Sequence, residues 1–208
     1  MSTPRFDQDF WEQLWSKTLR EHADKVARRP PNAHLIAEAT NLAPGRALDA
    51  GCGHGAETLW LAAHGWRVTA LDFSAAALAQ GRAMAEAAGS EIAERIEWVE
   101  GDVATWTVAP HSYDLVVCLY VHAANSVEAL IERLAAGVAP GGTLLMVGHR
   151  PIDPTTGART AAAEQVQVSV EAAVATLGSD AWELVATERA RPTAGTGVDA
   201  VICARRRI

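Results

Sequence analysis

At 208 residues, with 49% hydrophobic and 21% charged residues, the chain has the length and composition of one ordinary soluble globular domain rather than a disordered segment. A formal net charge of -7 argues against a polyanionic partner such as nucleic acid, because binding one needs a basic footprint. The only dense basic run, Arg205-Arg206-Arg207, reads as a solvated tail. Cys52, Cys118 and Cys203 are odd in number, far apart and without a CxxC pair. This excludes a cysteine zinc site, and the apolar runs around Cys118 and Cys203 predict buried, reduced thiols. No run approaches membrane-spanning length, and Met1–Asp7 has no signal-type apolar core, so a cytoplasmic protein without a membrane partner is expected.

Phe6, Phe10, Trp11, Leu14, Trp15 and Leu19 recur at helical spacing, which predicts an amphipathic helix within residues 6–29. Trp11 and Trp15 are candidate substrate-covering residues if this helix acts as a lid. Pro30-Pro31 ends it, and Asn32 can cap a following helix, His34–Thr40. Residues 1–45 are thus expected as a helical cap and 46–208 as the body, within a single domain.

The body opens with the most informative stretch, Ala47-Leu48-Asp49-Ala50-Gly51-Cys52-Gly53-His54-Gly55-Ala56-Glu57. It reads as a short apolar strand, a turn with three glycines, and a helix to about His64. Glycine allows a sharp turn and lets a ligand lie directly against the main chain. The free N–H groups of the following helix point at whatever occupies the turn. This is a ligand cradle at the carboxyl end of a strand. Two ligand classes fit it. Gly51-x-Gly53-x-x-Ala56 satisfies the loose dinucleotide fingerprint, but Asp49 is poorly placed beside a pyrophosphate and well placed near an ammonium or sulfonium.

A second strand, Trp66–Leu71, ends in Asp72-Phe73-Ser74, where Ser74 caps a helix Ala75–Ala88 that Gly89 stops. Asp72, at a strand tip, can accept the two ribose hydroxyls of a nucleoside. Arg95–Val99 is a third strand, followed by Gly101-Asp102-Val103. Tyr113–His122 is a fourth, apolar on both faces and therefore central. Asn125 or Ser126 caps a helix to about Ala136, and Ala139–Gly142 turns into a fifth strand, Thr143–Gly148. Residues 149–164 form a long loop, read as part of an acceptor site. A helix Ser169–Leu177 and a closing pair of strands, Trp182–Arg189 and Val198–Ala204, complete the chain.

Asp49, Gly51, Gly53 and Gly55 match, position by position, the acidic-x-Gly-x-Gly-x-Gly motif of class I S-adenosylmethionine-dependent methyltransferases, and the chain resembles that family over residues 46–205. The resemblance implies a Rossmann-like, doubly wound α/β fold. Its seven-stranded sheet would be mostly parallel with an antiparallel C-terminal strand, and would carry helices on both faces. It implies S-adenosylmethionine as cofactor, held by Asp49, Gly51, Cys52, Gly53, Gly55, Asp72 and Phe73. In the Gly101-Asp102-Val103 motif, Asp102 would accept from the adenine amino group and the Val103 N–H would reach a ring nitrogen. Cys118 and Leu119 would run past the methionine portion.

Methyl transfer from a sulfonium needs alignment above all, and a base only where the nucleophile carries a proton. Tyr120 and His122 after the fourth strand, and His149 after the fifth, are the candidate catalytic residues; Arg150 is a candidate substrate anchor. His22, His34, His64 and His111 are expected at the surface, and no metal site is expected. The Pro-Pro signature of amino-methylating DNA enzymes is absent after the fourth strand, so a small-molecule acceptor is expected, used by a monomer or homodimer. Two alternatives remain: a dinucleotide-dependent oxidoreductase, which requires a parallel sixth strand, and a non-catalytic S-adenosylmethionine-binding protein.

Overall fold

The computed structural model describes residues 8–122, 126–150, 157, 167–190 and 197–208. They form two compact units, the described residues of 8–32 with 43–106, and those of 33–42 with 107–208.

The first unit holds strands β1 (Arg46–Ala50), β2 (Arg67–Asp72) and β3 (Ile96–Glu100), with helices α1 (Gln8–Ala27), α3 (Ala56–Ala63), α4 (Ala75–Ala88) and α5 (Ser90–Ala93). Parallel pairing aligns Asp49 with Ala70 and Asp72 with Glu100, which brings the two strand-end carboxylates to one end of the unit. Helix α1 kinks at His22, whose φ is -144° and ψ 30°. The Ser74 hydroxyl accepts the Ala77 N–H at 3.2 Å and starts α4 where the sequence predicts it. The one-turn α5 was not expected, being too short to show a period.

Trp98 of β3 decides two glycines. A Cβ on Gly81, inside α4, would meet its indole at 2.4 Å, and one on Gly55 would meet it at 2.5 Å. Alanine is the better helix former by about 1 kcal/mol, yet overpacking a fixed indole costs about 1–3 kcal/mol. Gly81→Ala is therefore expected to lower the urea midpoint. Gly178→Ala, where a Cβ meets nothing within 4 Å, should leave it almost unchanged. Equal midpoints for both variants would show that Trp98 does not wedge α4.

The second unit holds α2 (Ala33–Ala39), β4 (Tyr113–Leu119), α6 (Val127–Gly137), β5 (Val138–His149), α7 (Val170–Thr176), β6 (Trp182–Ala190) and β7 (Val198–Arg206). Ser126 and Ser169 cap α6 and α7 by accepting the N–H groups of Ala129 and Ala172; Asn125 lies outside the described residues. β4 stops three residues earlier than expected, at Leu119, because Tyr120 takes a left-handed φ of 57°. β5 starts earlier than expected. Residues 139–142 stay in the strand as an irregularity in its pairing with β4, where Gly141 supplies a φ of 77°.

The strand order is β3-β2-β1-β4-β5-β7-β6 in one seven-stranded sheet. β7 is antiparallel to both β5 and β6. This is the mostly parallel sheet with an antiparallel C-terminal strand that the resemblance implies. β6, antiparallel to β7, runs in the same direction as β5, so the departure from an all-parallel dinucleotide-binding sheet is the antiparallel β7 between β5 and β6.

Candidate active site

The cradle belongs to the first unit. Gly51, Gly53 and Gly55 take φ values of 79°, 54° and 83°, which side chains with a Cβ rarely adopt. Their N–H groups are used inside the turn. Those of Gly51 and Cys52 donate to Leu71 O, that of Gly53 to Asp72 Oδ2, and that of Gly55 to Cys52 O. The turn is thus locked before any ligand arrives, and its glycines serve for close approach. The Cys52 thiol is buried with Ala70 and Leu78 and donates to Gly53 O at 3.6 Å, within the turn itself.

Asp72 is the clamp. Its Oδ2 takes the Gly53 N–H at 2.8 Å and its Oδ1 the Ser74 N–H at 2.9 Å, joining the turn to the start of α4. Burial raises its carboxyl above the usual range, the two N–H groups work against that, and the Glu12 carboxylate of α1 adds to it. Asp49 is buried and accepts the Thr58 hydroxyl at 2.6 Å. Burial, and then the charge of Glu57, push its carboxyl up to about 7. Gly101 donates its N–H to Asp72 O, and Asp102 Oδ1 accepts the Ala104 N–H at 2.8 Å, shaping the turn that carries Val103. Phe73 follows β2, half-buried.

Helix α1 lies over this turn. A Cβ on Gly53 would sit 2.8 Å from the Trp15 ring, and Trp15 packs against His54 with ring centroids 5.4 Å apart. Trp11 instead packs edge-on against Phe10. Burial, with the Arg29 charge, pushes His54 down to about 4, so its imidazole is neutral at pH 7. His54 Nε2 and Glu12 Oε2 are buried without a hydrogen-bond partner among the described residues. A left-handed glycine turn, a clamped carboxylate and two unsatisfied polar atoms suit a nucleoside carrying polar groups.

A second polar group lies in the other unit, and sequence reasoning missed its centre. Asp199 of β7 is fully buried. The β5–β7 register sets it opposite His149. Its Oδ1 is 3.1 Å from His149 Nδ1, and its Oδ2 accepts the Tyr120 hydroxyl at 2.8 Å. The Tyr120 and His149 rings stack with centroids 4.1 Å apart. His34 Nε2 stands 3.6 Å from the same carboxylate. His34, expected at the surface, is 5% exposed: α2 turns it inward onto Asp199, and burial lowers its pKa. One signal was available, namely a lone carboxylate in the otherwise apolar run Val198–Ala204.

Gln167 links the neighbouring candidates. Its Oε1 accepts the His149 N–H, and its Nε2 donates to His122 Nε2 at 2.8 Å. Arg150 pairs with Glu188 at 2.7 Å and Glu171 at 3.4 Å. Cys118 is buried in β4 and Leu119 ends that strand. Cys203 is a correction: it is only half-buried, although burial and the Glu38 charge still push its thiol up to about 12. Among the described residues no group of three or more His, Cys, Asp or Glu could hold a metal ion, and no helix is long and apolar enough to cross a membrane.

Residues 47–142, which span the cradle, Asp72, Asp102 and β4, match the family model described as a methyltransferase domain. Over these residues the chain is similar to S-adenosylmethionine-dependent methyltransferase domains. It is 35% identical over 136 residues to the trans-aconitate 2-methyltransferase of Paracidovorax citrulli, covering 62% of this chain and 48% of that protein. It is 30% identical over 120 residues to the ribosomal RNA small subunit methyltransferase C of Alcanivorax borkumensis, covering 52% of this chain and 34% of that one. The chain therefore spans about half or less of these curated relatives. The S-adenosylmethionine-dependent methyltransferase of Mesorhizobium loti has the same fold, with a TM-score of 0.63 over 84% of this chain and 98% of that one at 21% identity. S-adenosylmethionine is the cofactor of this methyltransferase family, and the left-handed cradle of this chain fits it.

Proposed function

We propose that the protein transfers a methyl group from S-adenosylmethionine to an oxygen, sulfur or nitrogen of a small molecule. One observation carries this reading: Asp72 clamps a glycine turn whose Gly51, Gly53 and Gly55 are all left-handed, inside a domain of the methyltransferase family. S-adenosylmethionine, when bound, supplies an activated methyl group on a sulfonium.

The residues of the chain bind and orient. The remaining lone pairs of Asp72 accept ribose hydroxyls, Asp102 and Val103 take the adenine edge, and Asp49 with the glycines of the turn lies along the amino-acid portion. Trp15, already over Gly53, excludes water, and Trp11 serves beside it on the acceptor. The candidate bases are His122, bonded to Gln167 through Nε2, and His149, bonded to Asp199 through Nδ1. Tyr120 stacks on His149 and orients it. Arg150 is engaged by two carboxylates, which favours a wall of the acceptor region over a free anion anchor.

The trans-aconitate-methylating relative supports a small acceptor, and the net charge of -7 weighs against RNA, the target named by the other. Calorimetric titration with S-adenosylmethionine, S-adenosylhomocysteine and reduced nicotinamide dinucleotide tests the reading. Micromolar binding of the first two alone is expected. Binding of only the nicotinamide would overturn it.

A further inference from the structure

We propose that Glu12 and His54 clamp the amino-acid end of the cofactor, Glu12 taking its ammonium and His54 its carboxylate, so that α1 distinguishes S-adenosylmethionine from adenosine derivatives lacking this end. The inference rests on the methyltransferase reading and assigns two further binding residues to the same site. Every residue it uses lies in the first unit. In that unit Glu12 Oε2 and His54 Nε2 are buried without a hydrogen-bond partner among the described residues, and His54 as a whole is 4% exposed. Stripping water from such groups is costly unless a ligand replaces it. Trp15 sets the two side by side. It stands on Gly53 and packs against His54, and Glu12 lies one turn earlier on the same face of α1. The face that carries Glu12 therefore meets the glycine turn, and the Glu12 charge bears on Asp72.

Counting donors assigns the partners. The cofactor offers donors at its adenine amino group, its two ribose hydroxyls and its α-ammonium. Asp102 takes the first and Asp72 the hydroxyls. A carboxylate only accepts, so the ammonium is what remains for Glu12. A cation there also offsets the like charges of Glu12 and Asp72. The cofactor's carboxylate needs donors in turn. The N–H groups of Gly51, Cys52, Gly53 and Gly55 are already used within the turn, which leaves His54 Nε2. Burial keeps this imidazole neutral, with a single N–H to give. With its proton on Nε2 it donates to the carboxylate, and the Arg29 charge that acts on His54 adds to the attraction.

Calorimetry with S-adenosylhomocysteine and with methylthioadenosine, which shares the nucleoside but has no amino-acid end, tests the clamp. Glu12→Ala and His54→Leu are each expected to weaken S-adenosylhomocysteine by about tenfold or more, the loss of one hydrogen bond to a charged group. Both should bind methylthioadenosine within about threefold of wild type, because the changed residues do not touch it. Glu12→Ala should melt no lower than wild type, since Oε2 has no partner to lose in the free protein. Hydrogen exchange in α1 should be slowed by S-adenosylhomocysteine in the wild type, and not by methylthioadenosine, an arm that stands even if neither variant folds. S-adenosylhomocysteine affinity within about threefold of wild type in either variant, equal losses for both ligands, or equal slowing of α1 by both would each overturn the clamp. Failure of the wild type to bind S-adenosylhomocysteine would instead overturn the methyltransferase reading.

Discussion

Asp72→Ala is expected to weaken S-adenosylmethionine binding by 100-fold or more while leaving a protein that still folds. Hydrogen bonds to a charged group contribute about 1.5–3 kcal/mol each, and two lost ribose contacts therefore correspond to at least about 3 kcal/mol, or two decades of affinity. The same change strands the N–H groups of Gly53 and Ser74, which lose their only side-chain acceptor in the clamp. Asp72→Asn is expected to behave almost as badly, since an amide can accept from one of these N–H groups but turns a donor toward the other. Calorimetry on the three proteins, with thermal melts alongside, checks this. Affinity within threefold of wild type in Asp72→Ala would remove Asp72 from the cofactor site.

The second large effect runs the other way: Asp49→Asn is expected to stabilise the free protein at pH 8. Burial, then the charges of Glu57 and Asp72, hold the Asp49 carboxyl near 7 against an ordinary 3.8, while the Thr58 hydroxyl works against them. A carboxyl raised in the folded state contributes stability that is fully present below pH 3.8 and lost as pH rises through about 7. Above that, keeping the ionised group buried costs on the order of 4 kcal/mol, at about 1.4 kcal/mol for each tenfold change in proton affinity. Asparagine keeps an oxygen for Thr58 and removes the charge. Urea unfolding should show the variant ahead at pH 8, with the gap closing toward pH 4. It should also bind S-adenosylmethionine more weakly, because a cationic ligand is what offsets a buried carboxylate. A wild-type stability that is flat between pH 5 and pH 8 would show that ionised Asp49 carries no such cost.

These two carboxylates lie in stretches whose local structure the sequence encodes. Ser74, Ser126 and Ser169 bond to N–H groups three residues on, so their caps are local events that a linear pattern records. The glycine turn, Asp72 and the Gly101-Asp102-Val103 turn follow from the same locality. The strand ends are placed to within two residues except where backbone geometry intervened, at the left-handed Tyr120 and at the irregular start of β5 around Gly141. Gly81 in α4 was passed over as part of an alanine-rich helix because only a packed indole from another element explains it.

By itself, then, the sequence determined the strand–turn–helix cradle, the class of the domain and its cofactor, because each depends on residues within a few positions of one another. The tertiary structure alone decided which polar side chains work together. His34 was assigned to the surface and Asp199 to nothing, and no spacing connects them with Tyr120 and His149. It took α2 packing within its unit and the antiparallel register of β5 with β7 to set the other three on the buried Asp199 carboxylate. Such a cluster is a property of strand order and register, which long-range burial selects and local sequence does not encode.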